Sequence, residues 1–336
     1  MTLAKNPNFW ERDPIGAGKG NPLPYLDGIK ILIIPELSTW LAALRSGKID
    51  KAGGIQPEDA VSVLRSAPNV KQRTFLPLRS TMVAMRIDKA DLPYKDKRVR
   101  QALMMATDFD SLKNDFYGGD AEILAFPVTG ESKTVYVPLE DMPETVQTLY
   151  RYDPAKARRL LAEAGYPDGF NPRMIIFSGL EVEDLASVYK DMWAKAGINL
   201  ELQPKEPAVF NSIAYSRAYD DMMLVHPAGG TQYPGCLNFG YLKGPASIFY
   251  TNDPAIEAAN QEIQKHVIVD MPEADRLYRE MLPYIVEQAY YIPAPTPTVY
   301  AMWWPWLKNF YGEFPVRFAA YSWMDQALKQ EMTGRR

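Results

Sequence analysis

The sequence predicts an α/β protein of two domains, and three observations support that prediction. The chain has 336 residues, and because domains of about 150 residues are typical, two separate cores are expected. Short apolar runs alternate with amphipathic helical stretches from residue 173 to residue 226, which is the pattern of an α/β domain. No internal repeat or low-complexity tract points to a solenoid or a fibrous protein instead.

The composition is that of an ordinary globular protein, with 47% hydrophobic and 23% charged residues. A net charge of −4 provides no basic surface for nucleic acid, so no nucleic-acid partner is predicted. Cys236 is the single cysteine, which excludes an internal disulfide. No apolar stretch approaches the ~20 residues that span a bilayer, and the N-terminus lacks the apolar region of a signal peptide.

The first 120 residues predict short elements separated by loops. Residues 11–24 are rich in glycine and proline and indicate a loop. The stretch Gly16–Gly20 within them has neither the spacing nor the hydroxyl residue of a phosphate-binding loop. Ile29–Ile34 is an apolar β-branched run that predicts a buried strand. The other predicted elements are helices at about 38–46, 57–66 and 98–117 and strands at about 48–50 and 81–88.

Residues 152–170 contain the best-defined helix of the chain. Asp153 can accept hydrogen bonds from the first free backbone amides, and Pro154 suits the first helical position. Apolar residues then recur on one face until Gly165 supplies a left-handed stop. The remaining predictions are an ordered excursion over 121–150, strands at 173–177, 198–203 and 222–226, helices at 181–196, 207–217, 254–267 and 272–288, and an extended stretch at 290–302.

Several motifs recur together in one protein family. They are Asn6–Trp10, Pro24–Gly28, Leu-Arg-Ser-Gly-Lys-Ile-Asp at 44–50, Pro-Tyr-Lys-Asp-Lys-Arg-Val-Arg-Gln-Ala-Leu at 93–103, and the helical stretch at 152–170. In this order they resemble family 5 extracytoplasmic solute-binding proteins, the dipeptide- and oligopeptide-binding receptors of ABC importers. The resemblance is strongest over residues 5–170 and weaker after 171.

The resemblance implies a periplasmic-binding-protein-like two-lobe fold of class II, the peptide-binding type, whose lobes close about a hinge on a ligand. By position, a partial lobe one would hold residues 1–79 and 305–336, and lobe two would hold residues 80–304. Members of the family begin with a signal peptide and a long N-terminal portion. The chain is therefore expected to be a C-terminal portion with one lobe incomplete, and that lobe is expected to pack poorly or to need the missing N-terminal portion or a partner chain.

The resemblance places the ligand site in the segment after the last central strand of lobe two, Val225–Pro234. Peptide-binding members carry an acidic residue there that pairs with the free amine of the peptide. Glycine stands at that position here, which argues against a free α-amine and favours a neutral, sugar-like or carboxylate-bearing solute. The predicted contacts from this segment are His226, Gly229, Gly230, Thr231 and Tyr233.

Arg217 and Met82 complete the predicted site, and each has a structural alternative. Arg217 ends a predicted helix, where it is either an anion contact or a solvated charge favoured by the helix dipole. Met82 lies near the first crossing between lobes, where it either lines the cleft or packs in the core. A lone histidine at a strand end, such as His226, is more often structural than a metal ligand, so no metal and no cofactor are predicted.

No catalytic pattern is present, and the chain is not predicted to be an enzyme. It has two histidines, without paired metal-ligand spacing, and no Gly-x-Ser-x-Gly turn to hold a nucleophile. The resemblance implies a receptor, periplasmic or extracellular and membrane-attached, that captures a short peptide or small organic solute between two lobes and delivers it to an ABC permease. The alternative is a non-transport interaction or chaperone-like module built on the same scaffold.

Overall fold

The computed structural model describes residues 1–77, 80–124, 127–130, 132–225, 250–313 and 316–335. The strands are β1 Thr2–Ala4, β2 Gly28–Lys30, β3 Lys51–Ile55, β4 Lys71–Phe75, β5 Met82–Met85, β6 Ala121–Glu122, β7 Arg173–Phe177, β8 Glu201–Lys205, β9 Met222–Val225, β10 Tyr291–Pro293, β11 Thr296–Pro297, β12 Val299–Trp303, β13 Leu307–Lys308 and β14 Trp323–Met324. The α-helices are α1 Leu37–Arg45, α2 Pro57–Ser66, α3 Lys97–Met105, α4 Phe109–Ser111, α5 Glu144–Gln147, α6 Pro154–Glu163, α7 Leu180–Ala194, α8 Pro207–Ser216, α9 Pro254–His266, α10 Met271–Glu287 and α11 Gln326–Thr333.

The chain forms two compact units. Unit 1 comprises Met1–Phe75 and Thr298–Arg336, and unit 2 comprises Leu76–Pro297. The predicted boundary at residue 304 differs from this division because β12 pairs with β3 and β4, which places it in unit 1. Whether the two units are the two lobes of a receptor stays a prediction.

Unit 2 is built on a five-stranded sheet in the order β10-β5-β9-β7-β8. Strands β7, β8 and β9 are parallel, β5 is antiparallel to β9, and β10 is antiparallel to β5. Helices α7 and α8 make the two crossovers, so the alternation predicted for residues 173–226 is confirmed as far as β9, which ends at Val225. Every residue of β5 and β9 is buried, as expected for central strands covered on both faces.

Unit 1 has a smaller core around a three-stranded sheet in the order β3-β12-β4. Helices α1 and α2 supply buried apolar residues that pack against Trp304 and Trp306. These two indoles stack with centroids 4.6 Å apart and an interplanar angle of 4°. Trp304 Nε1 donates to the carbonyl of Leu44 at 2.7 Å, and Trp306 Nε1 donates to Asp50 Oδ1 at 2.7 Å, so neither buried N–H lacks an acceptor.

The structure corrects two predicted elements. The run predicted as a buried strand at Ile29–Ile34 forms only the short strand β2, and Ile33 is 85% exposed. The single helix predicted over 98–117 is divided into α3, α4 and a π-helical turn at Leu112–Phe116. The division follows from Asp108, whose carboxylate accepts from the Ser111 amide at 3.0 Å and starts a new helix.

Candidate functional site

The candidate site lies at the edge of the unit 2 sheet where its parallel strands end. Strands β7, β8 and β9 end at this edge, and the register pairs Val225, the last residue of β9, with Met82, the first of β5. Pro293, the last residue of β10, also pairs with Met82. We call this side of the sheet the carboxyl edge and the opposite side the amino edge. Ligands of open α/β sheets bind outside the carboxyl ends of the strands.

The predicted binding segment follows the carboxyl edge directly in sequence. His226 comes immediately after the last residue of β9. The predicted contacts His226, Gly229, Gly230, Thr231 and Tyr233 lie outside the described residues. Their role in binding stays a prediction.

Arg217 does not lie at the carboxyl edge. It follows α8 with a left-handed φ of 60°, and its guanidinium carbon lies 4.2 Å from the ring centroid of Tyr250. The guanidinium carbon of Arg86 lies 3.8 Å from the same centroid, and the Arg86 amide donates to the Asp221 carbonyl, which precedes β9, at 3.0 Å. Arg217 therefore belongs to the amino edge, because a crossover helix returns the chain to the start of the next parallel strand.

Met82 packs in the hydrophobic core in this structure. It is 0% exposed and belongs to the core of unit 2, with Val83, Ala84 and Met85. This burial favours the alternative of core packing for both methionines of β5. The physical reason is that β5 is an interior strand whose residues are buried on both faces of the sheet.

A buried carboxylate fixes the amino edge. The Tyr94 hydroxyl donates to Asp221 Oδ1 at 2.5 Å, and the Arg173 amide donates to Oδ2 at 2.7 Å. Burial, together with the negative charge of Asp221, raises the pKa of Tyr94 well above its usual range, so the phenol stays a donor. Asp220 points the other way and accepts from Lys89 Nζ at 2.8 Å. These two neighbouring carboxylates therefore bind different partners.

Polar side chains that the sequence did not indicate cluster at the carboxyl edge. Thr296 Oγ1 donates to Ser80 Oγ at 2.9 Å, and both residues are buried. Strand β11 carries Thr296 opposite Glu122 of β6. The Glu122 carboxylate accepts from the Gly130 amide at 3.1 Å. No sequence spacing could have found this cluster, because its members come from four separate segments.

A second concave surface lies away from the carboxyl edge. It is an open groove of about 500 Å³ between α6 and the end of α7, and its lining includes the cations Arg158, Arg159 and Lys195. Because α7 begins at the carboxyl edge and leads to the start of β8, its last turn lies toward the amino edge. The groove is therefore not part of the candidate site.

The described part of the carboxyl edge offers groups that can form hydrogen bonds to a solute. Across the residues that the structure describes, no group of three or more His, Cys, Asp or Glu side chains could hold a metal ion. The amide of Gly179, which precedes α7 at this edge, already donates to Glu183 Oε1 at 3.2 Å. Hydroxyls and one carboxylate remain, and these groups bind solutes by hydrogen bonds. Among the helices of the described ranges, none is both long and apolar enough to cross a membrane.

Comparison with known proteins gives related binding proteins from bacteria. The chain is 30% identical to the heme-binding protein A of Haemophilus influenzae over 179 residues, which are 52% of this chain and 30% of that protein. It is 28% identical to the oligopeptide-binding protein AppA of Bacillus subtilis over 193 residues, covering 54% of this chain and 34% of AppA. The chain thus matches about a third of the length of these relatives, and neither is named as an enzyme, in agreement with the prediction.

Solved structures of similar proteins identify the fold. The periplasmic binding protein DppA of Helicobacter pylori, in complex with the peptide STSA, superimposes with a TM-score of 0.77 at 21% identity. That match covers 96% of this chain and 60% of DppA. The predicted α/β fold of the peptide-binding periplasmic type is confirmed.

The family is established by the extent of its match. The sequence pattern described as bacterial extracellular solute-binding proteins, family 5 Middle, matches residues 1–244. That stretch includes strands β5, β7, β8 and β9 of the candidate site. With more than half of its 336 residues matched, the chain belongs to the family 5 bacterial extracellular solute-binding proteins.

Proposed function

We propose that this chain is the solute-binding component of an ABC importer. It captures a short peptide or another small organic solute at the carboxyl edge of unit 2 and delivers it to a permease. The observation that carries the proposal is that the family match contains four of the five strands whose ends form this edge. Binding there is followed by release, and no bond of the solute is made or broken.

The site that we propose combines the segment after β9 with the polar cluster of the described structure. The segment contributes His226, Gly229, Gly230, Thr231 and Tyr233. Arg217 and Met82 are not part of it, for the reasons given above. In this proposal unit 2 is lobe two of the receptor and unit 1 is part of lobe one. The receptor acts in the periplasm or at the outer face of a membrane to which it is attached.

The named ligands of the relatives support the class of solute but not its identity. One relative is named for heme and another for oligopeptides, and a structural neighbour holds a short peptide. A scaffold that accepts such different molecules sets specificity by the side chains of its site. The non-transport interaction module has no observation of its own in its favour.

Native mass spectrometry of the full-length protein, purified without denaturation, tests the proposal. We expect one small organic molecule bound to each protein molecule and released on unfolding. The two histidines provide a matched pair of variants, because His266 lies on α9 beside Glu262. His226→Ala should weaken binding of the co-purified molecule at least tenfold, and His266→Ala should leave it unchanged. A protein that carries no molecule, or equal effects of the two variants, would contradict the proposal.

A further inference from the structure

One carboxylate at the carboxyl edge has no ion-pair partner in the part of the chain that the structure describes. Strand β11 continues past the end of β10, and its Thr296 is tied to Ser80, two residues before β5. Glu122 lies directly opposite Thr296 in the antiparallel pair of β6 and β11. Side chains at directly opposed positions project from the same face with Cβ atoms about 5 Å apart. Glu122 is therefore placed just beyond the end of the central strands.

The groups that contact this carboxylate are neutral. The Gly130 amide donates to Oε1 at 3.1 Å. Burial, and then the proximity of the Glu122 carboxylate, raises the pKa of Tyr136, so this neighbouring phenol stays neutral. A methyl group added to Gly130 would stand 3.2 Å from Glu122 Oε2, so the loop packs closely against the carboxylate.

No basic side chain of the described residues pairs with Glu122 within 4.0 Å. The residue is half-buried, so its charge has lost part of its water without gaining a counter-charge. Partial burial of an uncompensated carboxylate is unfavourable, and a cation that binds it recovers the lost energy. The exposed part of the residue leaves room for a group from solution.

A buried hydroxyl adjoins the glycine whose amide binds this carboxylate. Thr129 precedes the glycine whose amide binds Glu122, and it is 0% exposed. Its Oγ1 has no hydrogen-bond partner among the described residues. A buried hydroxyl without a partner is rare in folded proteins and calls for an explanation. A bound molecule that supplies a donor would satisfy both Thr129 and Glu122.

We propose that Glu122 and Thr129 form the subsite for a primary ammonium group of the solute. An ammonium has three donors and one positive charge. One N–H of the ammonium would donate to the Glu122 carboxylate, whose charge the ammonium also balances. A second N–H would donate to a lone pair of Thr129 Oγ1. The inference rests on the proposed function and narrows it to solutes that carry an amine. It also revises the sequence prediction, which argued against an amine because glycine stands at 229 and 230.

The test uses two tripeptide libraries without lysine or arginine, one unmodified and one N-acetylated. Acetylation removes the only ammonium of each peptide and changes little else. Full-length wild-type protein, freed of its co-purified solute, should retain unmodified peptides at least tenfold better than acetylated ones in native mass spectrometry. Glu122→Gln keeps an acceptor for the Gly130 amide but loses the charge, and it should reduce this preference below twofold.

Matched variants keep the test decisive. Glu140→Gln removes an exposed carboxylate of the same region and should behave as wild type. Thr129→Val should weaken binding of unmodified peptides, and Thr129→Ser should restore it, which separates the hydroxyl from a loss of packing. Thermal unfolding of each variant checks that it folds. Equal retention of the two libraries by wild type, or an unchanged preference in Glu122→Gln, would overturn the inference. A co-purified solute without an amine would overturn it and leave the proposed function standing.

Discussion

The Tyr94→Phe substitution tests whether the buried carboxylate at the amino edge holds β9 in place. Phenylalanine keeps the ring, which packs edge-on against Phe170 with centroids 6.0 Å apart. Only the hydroxyl that donates to Asp221 at 2.5 Å is removed. Asp221 is 9% exposed, so water cannot fully replace the lost donor.

The expected cost follows from the remaining contacts of Asp221. A hydrogen bond to a charged group contributes about 1.5–3 kcal/mol, and a buried partner left without it loses that energy. The Arg173 amide still donates at 2.7 Å, but its guanidinium is 4.0 Å away and its side chain is 58% exposed, so it compensates little. We expect the free energy of unfolding of unit 2 to fall by about 2 kcal/mol.

Hydrogen exchange measured by mass spectrometry along a urea series follows the two units separately. Peptides that cover β7 and β9 should lose protection at lower urea in Tyr94→Phe than in wild type, and peptides of unit 1 should not change. Tyr215→Phe is the control, because Tyr215 is 76% exposed on α8 of the same unit. If Tyr94→Phe stays within about 0.5 kcal/mol of this control, the carboxylate does not hold β9 in the way that we describe.

Four further predictions concern stability. Met82→Ala should lower the free energy of unfolding, measured by urea denaturation, by about 3 kcal/mol, because the side chain is fully buried. If stability were unchanged and calorimetry showed weaker solute binding, Met82 would be a ligand contact instead. Gly169→Ala should cost more than about 3 kcal/mol, because φ is +75° and the new Cβ would stand 1.8 Å from the Gly197 carbonyl oxygen. Gly165→Ala, with φ of +98° and open space around it, should cost only about 1–2 kcal/mol in the same denaturation assay. Because the pKa of Tyr94 is raised in the folded protein, the contribution of its hydroxyl to the free energy of unfolding should be constant below about pH 10, where the unfolded phenol titrates, and should be lost as pH rises further. The difference in the free energy of unfolding between wild type and Tyr94→Phe should therefore shrink at pH 11. A difference that stays constant would contradict this reasoning.

The parts of the fold that depend on neighbouring residues could be predicted from the sequence. Helix α6 begins at Pro154, and the Asp153 carboxylate accepts from the Lys156 amide at 2.8 Å, as the sequence predicted. Asp253 caps α9 in the same way through the Ala255 amide. In both cases the capping side chain lies two or three residues from the amide that it binds. Such local signals fix where a helix starts but not what it packs against.

The wrong predictions concern residues whose partners are distant in sequence. Ile29–Ile34 has the composition of a buried strand, yet only β2 forms, because β1 is its single pairing partner. The extended conformation of strand β12 was predicted, but its pairing with β3 and β4, which places it in unit 1, was not. Its hydrogen bonds to β3 and β4 reach back more than 200 positions. Hydrophobic pattern reports burial and period, and it carries no information on which strand pairs with which.

The sequence indicated a position in the fold for the candidate site, and the residues that form the site stay a prediction. The resemblance pointed to the end of β9, which is the edge where α/β sheets bind ligands. The position of Arg217 at the other edge could have been inferred from the sequence, because a residue that ends a crossover helix returns to the start of the next parallel strand. Ser80 and Thr296 could not have been found, since 216 positions separate their hydrogen-bonded hydroxyls.

The two edges of the sheet differ in how many of their polar groups have partners within the protein, and this difference bears on the proposed binding site. At the amino edge, Arg86 donates to Asp88 and to the Tyr219 carbonyl, and Asp221 accepts from two donors. Polar groups with internal partners rigidify a fold and leave little capacity for a ligand. At the carboxyl edge, Glu122 has only neutral donors and Thr129 has no partner among the described residues. A receptor must keep such capacity for its solute, and this difference supports our proposal that the solute binds at the carboxyl edge.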